Sequence, residues 1–215
     1  MLRSLRDRAR LVAGAGGPGL PFGQMSKSAP TLAPRRHLSD RQAQTVQRLG
    51  DAALKELQEL GYDGLTVRNV ARRAGVAPAT AYNYFASREH LVTEMFWRRL
   101  QALPPAKVDK RRTAASRAAA VLSEMALLVA DEPELAAACT VAMLSNDPDV
   151  KVLRDRIGLT WHLRLQAALG DSADPAVLRS LEFAVSGAML QAGMGHLDYT
   201  DLPDQLAVTA ELLLG

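Results

Sequence analysis

The chain has 215 residues, 48% of them hydrophobic, with one cysteine and a net charge of +3. This apolar content suffices for a folded core, and one cysteine excludes a disulfide framework within the chain. Residues 1–100 carry 16 Lys and Arg against 8 Asp and Glu, whereas residues 101–215 carry 10 against 15. The difference predicts that only the first half meets a polyanion.

The first 37 residues are rich in glycine and proline and show no helical period. They carry seven basic residues and Asp7, a net charge of +6. This composition predicts a disordered basic arm. Two interpretations stay open: a dispensable tail or upstream extension, and an arm that contacts DNA phosphates or the minor groove.

The first predicted helix begins at the N-cap Ser39 and ends at Gly61. Apolar residues recur in it at spacings of three and four, which predicts one buried stripe. The stripe comprises Val46, Leu49, Ala53, Leu57 and Leu60.

Two short predicted helices follow, joined by a tight turn. Thr66 caps the first, which runs to about Ala74, and Gly75 ends it. Pro78 suits the first position of the second, which runs to about Phe85. This pattern is typical of a helix-turn-helix, which presents its second helix to a DNA major groove about 12 Å wide.

The second short helix carries an unusual set of side chains. Thr80, Tyr82 and Tyr84 crowd about two turns, and arginines flank the pair of helices at Arg68, Arg72, Arg73 and Arg88. We interpret the cluster as a DNA-facing surface; the alternative is a structural cluster, and Phe85 is expected in the core. Ser87 then caps a longer helix whose inner face is Leu91, Met95, Phe96 and Leu100.

Pro104 and Pro105 predict a domain boundary at about residue 103. Four or five apolar helical patterns follow, and the Asp-Pro pairs 147–148 and 174–175 mark two of their starts. The predicted ranges are about Arg112–Ala130, Glu132–Ser145, Asp147–Leu169, Asp174–Met194 and Pro203–Leu214.

The remaining polar residues form no catalytic or metal-binding pattern. The four histidines are scattered, no Gly-rich phosphate loop occurs, and Cys139 lies in an apolar run without an arranged base. No apolar run approaches the roughly 20 residues that span a bilayer. We therefore expect no enzyme, cofactor, metal or membrane partner, and a reducing, cytoplasmic location.

The stretch "LTVRNVARRAGVAPATAYNYFASREHLV", Leu65 to Val92, resembles the DNA-binding signature of TetR-type transcriptional repressors. The resemblance spans about Ser39 to Leu100. It implies an all-α protein with a three-helix helix-turn-helix domain at residues 38–103, after the arm at residues 1–37. A larger helical ligand-binding and dimerisation domain at residues 104–215 would follow.

The resemblance implies DNA contacts at Thr66, Arg68, Pro78, Ala79, Thr80, Tyr82, Tyr84 and Arg88. Arg68 would reach a base edge, Thr80 and Tyr82 would meet phosphate or base, and the residues at 66, 84 and 88 would meet phosphates. Pro78 and Ala79 depart from the family pattern because both are apolar. Contact with thymine methyls or readout of DNA shape is expected there instead.

The resemblance also implies a homodimer, with the last two helices at the interface and a palindromic operator as partner. The alternative for those helices is ordinary core. It further implies a pocket for an apolar or amphipathic effector: an acyl chain, a sterol-like ring system or a drug. Its candidate lining is Met125, Leu128, Cys139, Met143, Trp161 and Leu165; core packing is again the alternative.

The sequence therefore predicts a ligand-responsive, homodimeric repressor that its effector releases from the operator. The alternative hypothesis is a small-molecule binding protein with a vestigial DNA-binding head.

Overall fold

The computed structural model describes residues 40–106, 108–170 and 173–215, and within them the regular structure is helical, without strands. The predicted arm and the cap Ser39 lie outside the described residues. The helices are α1 Asp40–Gly64, α2 Val67–Arg73, α3 Pro78–Tyr82, α4 Arg88–Ala102, α5 Ala114–Ala126, α6 Pro133–Met143, α7 Pro148–Leu169, α8 Pro175–Gly193 and α9 Leu202–Leu214. Short 3-10 turns lie at Leu127–Val129 and Tyr199–Asp201.

Side-chain caps begin the helices where the sequence predicted them. Thr66 and Ser87 accept hydrogen bonds from the third following amide, at 3.0 and 2.9 Å. Asp147 and Asp174 cap α7 and α8 ahead of their first-position prolines. Thr113, which the sequence analysis did not assign, caps α5.

Several predicted boundaries shift. The helical run of α1 extends to Gly64, but Gly61 has φ 67°, so the regular helix breaks at that glycine. Leu60, next to this break, is 53% exposed and was wrongly assigned to the buried stripe. The α3 helix ends at Tyr82 rather than near Phe85, and the amide of Tyr84 bonds to the carbonyl of Ala81 three residues earlier, as in a 3-10 turn.

A continuous hydrophobic core runs from α1 to α9. Helix α4 packs on both α6 and α7, α1 also packs on α6, and α5 lies along α9. The predicted inner face of α4 is buried. Residues 38–215 form one compact unit, so the boundary near residue 103 remains a prediction about the division of function.

Candidate functional site

The inner side of α3 fixes the helix against the rest of the helix-turn-helix. Ala81 is fully buried, and Val76 and Phe85 are buried on either side of it. The expectation that Phe85 belongs to the core is thus confirmed. The tight turn depends on Gly75, whose φ of 64° is unfavourable for a residue with a Cβ.

The outer side of α3 is open. Pro78, Ala79 and Thr80 are exposed, and Tyr82 is 50% exposed. Tyr84 is half-buried and lies in the turn after α3, so the prediction that it shares the helix with Thr80 and Tyr82 is wrong. On α2, Thr66 and Arg68 are also exposed. The structure therefore presents the predicted base- and phosphate-facing residues of α2 and α3 to solvent.

Arg73 forms ion pairs with two carboxylates of α1. Its Nε lies 2.6 Å from Oε1 of Glu56, a carboxylate that is only 3% exposed, and its Nη1 donates to Glu59 Oε1 at 2.8 Å. These hydrogen bonds, first that of Glu59 and then that of Glu56, raise the pKa of Arg73 above its ordinary value. Arg73 therefore braces α2 against α1.

Arg88 joins the start of α4 to the end of α1. Its Nε donates to Glu89 at 3.0 Å and its Nη1 to the carbonyl of Tyr62 at 3.1 Å, with the guanidinium 4.5 Å above the Tyr62 ring. The Tyr62 hydroxyl donates to Glu89 at 3.1 Å, and burial, followed by the Glu89 charge, raises the pKa of Tyr62 to about 12. Arg88 thus orients the helix-turn-helix, and its phosphate contact remains a prediction.

The structure adds residues that the sequence analysis missed. Thr80 and Tyr84 share an open groove of ≈ 370 Å³ with Arg41, Thr45 and Arg48 of α1. The three α1 residues recur at i, i+4 and i+7, the spacing of one helix face. That spacing was the available signal, but a solvated helix face has the same pattern.

The six candidate effector residues all belong to the body of the protein. Met125, Cys139, Trp161 and Leu165 are buried, and Leu128 and Met143 are half-buried against the same core. Neither the groove beside α3 nor a second cleft of ≈ 280 Å³, between the α4–α5 connection and α5, is lined by them. Their burial agrees with core packing, and an effector pocket remains a prediction.

Two buried groups in this region, the indole N–H of Trp161 and the thiol of Cys139, differ in their ability to bind a ligand. The Nε1 of Trp161 is buried without an acceptor among the described residues, and the indole ring lies 6.2 Å from the ring of Phe96. A buried donor without a partner costs about 1–3 kcal/mol, which a ligand oxygen or a water would offset. Burial raises the pKa of the Cys139 thiol to about 12, so this cysteine is a neutral, unreactive side chain.

Helices α8 and α9 pack together and carry apolar side chains on their outer sides. On α8, Phe183 is 68% exposed, and Gly187, Leu190 and Met194 continue the same face. On α9, Leu212 is 82% exposed one turn after the exposed Val208. The small residue Gly193 instead packs against Thr140 of α6, within the protomer. The exposed apolar residues of the last two helices thus include a phenylalanine, Phe183, and the leucines Leu190 and Leu212, whereas Leu206 of α9 is buried in the core.

Metal and membrane features are absent from the part of the chain that the structure describes. No group of three His, Cys, Asp or Glu side chains there is arranged to hold a metal ion. None of the described helices has the length and apolar character that a membrane crossing needs.

A helix-turn-helix with an exposed polar and aromatic face, mounted on a larger helical body, defines a DNA-binding transcription regulator. Residues 49–95 match the model of the family described as bacterial regulatory proteins, tetR family. An uncharacterized HTH-type transcriptional regulator of Mycobacterium tuberculosis is 43% identical over 176 residues, 81% of this chain and 82% of that protein. The chain therefore belongs to the tetR family, whose members are regulators and not enzymes.

Two further proteins extend the comparison. The HTH-type transcriptional repressor KstR of Rhodococcus jostii is 28% identical over 193 residues, 87% of this chain and 91% of that protein. The solved structure of the transcriptional regulator FadR from Bacillus subtilis, in complex with stearoyl-CoA, has a TM-score of 0.54 at 21% identity. The match covers 79% of this chain and 97% of the FadR chain, which shows that the two proteins share a fold.

Proposed function

We propose that this regulator is a homodimeric repressor, acting in the cytoplasm, that binds a palindromic operator through α2 and α3. An apolar or amphipathic small molecule, bound in the body, releases it from the DNA. The observation that carries the proposal is the exposed face of α3, where Thr80 and Tyr82 stand beside Pro78 and Ala79. A half-exposed tyrosine on a helix of five residues contributes little to its own fold.

The outer face of α8 and α9 supports a dimer. Exposed aromatic and aliphatic side chains recur on it at helical spacing, and exposed apolar side chains grouped in this way mark an interaction surface. The exposed Gly187 leaves room for a second helix to approach closely. In a twofold dimer the two α3 helices read the two halves of a palindrome, with centres about 34–36 Å apart or a multiple of that distance.

The interior of the body supports an effector with a long apolar part and a polar acceptor. Its core is built from leucines, alanines and adaptable methionines, and Trp161 offers a buried N–H. FadR, which shares the fold, binds stearoyl-CoA. We therefore propose a fatty acyl thioester as the effector class, with a sterol-like compound as the second class to test.

The proposal is tested by fluorescence anisotropy on labelled DNA from upstream of the chain's own gene. We expect tight binding to one palindromic segment, and release when stearoyl-CoA is added below its micelle concentration. Linkage requires that the operator weaken stearoyl-CoA binding by the same factor. A sterol-like carboxylate and free coenzyme A, run in parallel, separate the effector classes.

Two results would contradict the proposal. Salt-sensitive binding to all DNA, without a preferred palindrome, would show that the protein does not recognise a specific operator. Effector binding that is indifferent to DNA would instead favour the alternative, a small-molecule binding protein with a vestigial head. The apolar residues Pro78 and Ala79 are the feature that favours this alternative.

A further inference from the structure

The groove between α1 and α3 joins a new surface to the exposed face of α3. One wall is formed by Arg41, Gln42, Thr45 and Arg48 of α1, and the other by Val76, Thr80 and Tyr84. Two of these seven residues, Thr80 and Tyr84, already belong to the predicted DNA contacts. The groove is therefore continuous with the recognition surface.

The two arginines of the groove are exposed and form no ion pair within the described chain. The Thr45 hydroxyl donates to the carbonyl of Arg41 at 2.9 Å, within the first turn of α1. Arg41 and Arg48 are both exposed, and neither forms an ion pair with another described residue. Five arginines elsewhere in the described chain do form ion pairs: Arg73, Arg88, Arg98, Arg99 and Arg164.

The chemistry of the lining selects an anion with several oxygens. Two guanidinium groups, the hydroxyls of Thr80 and Tyr84, and Gln42 line the groove beside Thr45, whose own proton is donated to the Arg41 carbonyl. None of the described lining residues is acidic. Val76, nearly buried, adds an apolar contact suited to a sugar ring. Arg41 and Arg48 are seven residues apart, about 10 Å along the helix axis at 1.5 Å per residue. That separation suits two different phosphates of one strand.

We infer that this groove holds the sugar–phosphate backbone of one DNA strand, with Arg41 and Arg48 each neutralising a phosphate beside the bases that α3 reads. The inference extends the DNA-binding surface from α2 and α3 onto α1. Such contacts strengthen binding to every DNA sequence and fix the depth and register of α3. The inference rests on the proposed dimer in one respect: the dimer sets the number of these contacts per operator.

The test compares Arg41→Gln and Arg48→Gln in the full chain by the salt dependence of DNA affinity. Two protomers per operator lose two phosphate contacts in either variant, so the slope of log K against log salt falls by about 2. We expect about tenfold weaker binding near 0.1 M salt, equal for the operator and for non-specific DNA. In ethylation interference, the signal at one phosphate per half-site should disappear in each variant.

The matched control is Arg111→Gln, which removes the same charge from an exposed position in the connection between α4 and α5, outside the groove. Arg48→Lys keeps the charge and should keep the slope. If the groove variants show the slope and interference pattern of Arg111→Gln, the inference is wrong. If the wild type selects no palindrome, the proposed function fails, while the slopes on non-specific DNA still decide the inference.

Discussion

The proposed DNA-binding surface and the body of this regulator hold their functional candidates in different ways. Around α3, Thr80 and Tyr82 project into solvent. Their backbone is held in place by the helix caps, by the turn at Gly75 and by the ion pairs of Arg73. In the body, the candidates are buried among the residues that also form the core. Substitution at the surface should therefore change binding without changing stability, whereas substitution in the body affects both.

The largest expected effect is at the outer face of α8 and α9. Phe183→Glu and Leu212→Glu would each place a charge in the proposed dimer interface, where burial without a partner is costly. We expect a monomer by analytical ultracentrifugation and an operator affinity lower by about a hundredfold or more, because one head makes half of the contacts. The sedimentation profile is the primary measurement.

Leu144→Glu is the control for that prediction, because Leu144 is 69% exposed, as Phe183 is, but follows α6. It should remain dimeric and bind DNA normally. A Phe183→Glu variant that stays dimeric would show that α8 does not form the interface.

The next effect is at Tyr82. Tyr82→Ala removes a half-exposed ring and hydroxyl, and should weaken operator binding by about tenfold, within the range of a single base or phosphate contact. Tyr82→Phe separates the hydroxyl from the ring. Thermal unfolding and the dimer should be unchanged, and an unchanged operator affinity would remove this residue from the site.

In the body, Trp161→Phe tests the buried N–H. The change keeps an aromatic ring but removes the donor that has no acceptor among the described residues. We expect the stearoyl-CoA concentration needed for release to rise about five- to tenfold, the effect of one lost hydrogen bond, with operator affinity in the absence of effector unchanged. Trp97→Phe, at the other, half-buried tryptophan, is the matched control. Equal effects of the two changes would show that Trp161→Phe acts through packing and not through the loss of its N–H donor.

The smallest effect concerns two helix caps that bond to each other. The Ser87 hydroxyl, which caps α4, donates at 2.5 Å to Asp147, which caps α7. This hydrogen bond, with those from the amides of Asp149 and Val150, lowers the pKa of Asp147. Because the folded pKa lies below the unfolded one, the stabilisation is present above the ordinary carboxyl pKa and is lost as pH falls through the lowered value.

Asp147→Asn should therefore reduce stability near neutral pH by less than about 1 kcal/mol, since Asn also caps helices. The deficit should shrink as thermal unfolding is followed from pH 7 to pH 3. Asp174→Asn, at a cap of the same Asp-Pro type without an interhelix partner in the described chain, is the matched control for the removal of a capping carboxylate. Identical pH profiles would contradict the shared-cap account.

The sequence was most informative where function depends on local backbone rules. Caps at Thr66 and Ser87, the glycine turn and the first-position proline of α3 were all predicted, because each requires a particular residue type. Arg41 and Arg48 were missed because exposed arginines on a helix resemble any solvated face. The predicted end of α3 was wrong because a buried phenylalanine at position 85 is compatible with both a helix and a turn.

The effector region was less readable for a physical reason. A leucine or methionine that lines a cavity has the same residue type and spacing as one that fills a core. Among the six candidate lining residues, Trp161 is distinguished by a buried N–H without an acceptor in the described chain, which is visible from three-dimensional contacts. The same limit applies at α8, where packing had to be known before Phe183 could be assigned to the outer face.

The central claim, that two α3 helices of one dimer enter the major groove of one operator, is tested most directly by protection of guanine N7 from dimethyl sulfate. We predict two symmetric blocks of major-groove protection on one face of the DNA, about 10 base pairs apart or a multiple of that spacing, and in Tyr82→Ala both blocks should require about tenfold more protein. A single block, or affinity without any N7 protection, would contradict the account.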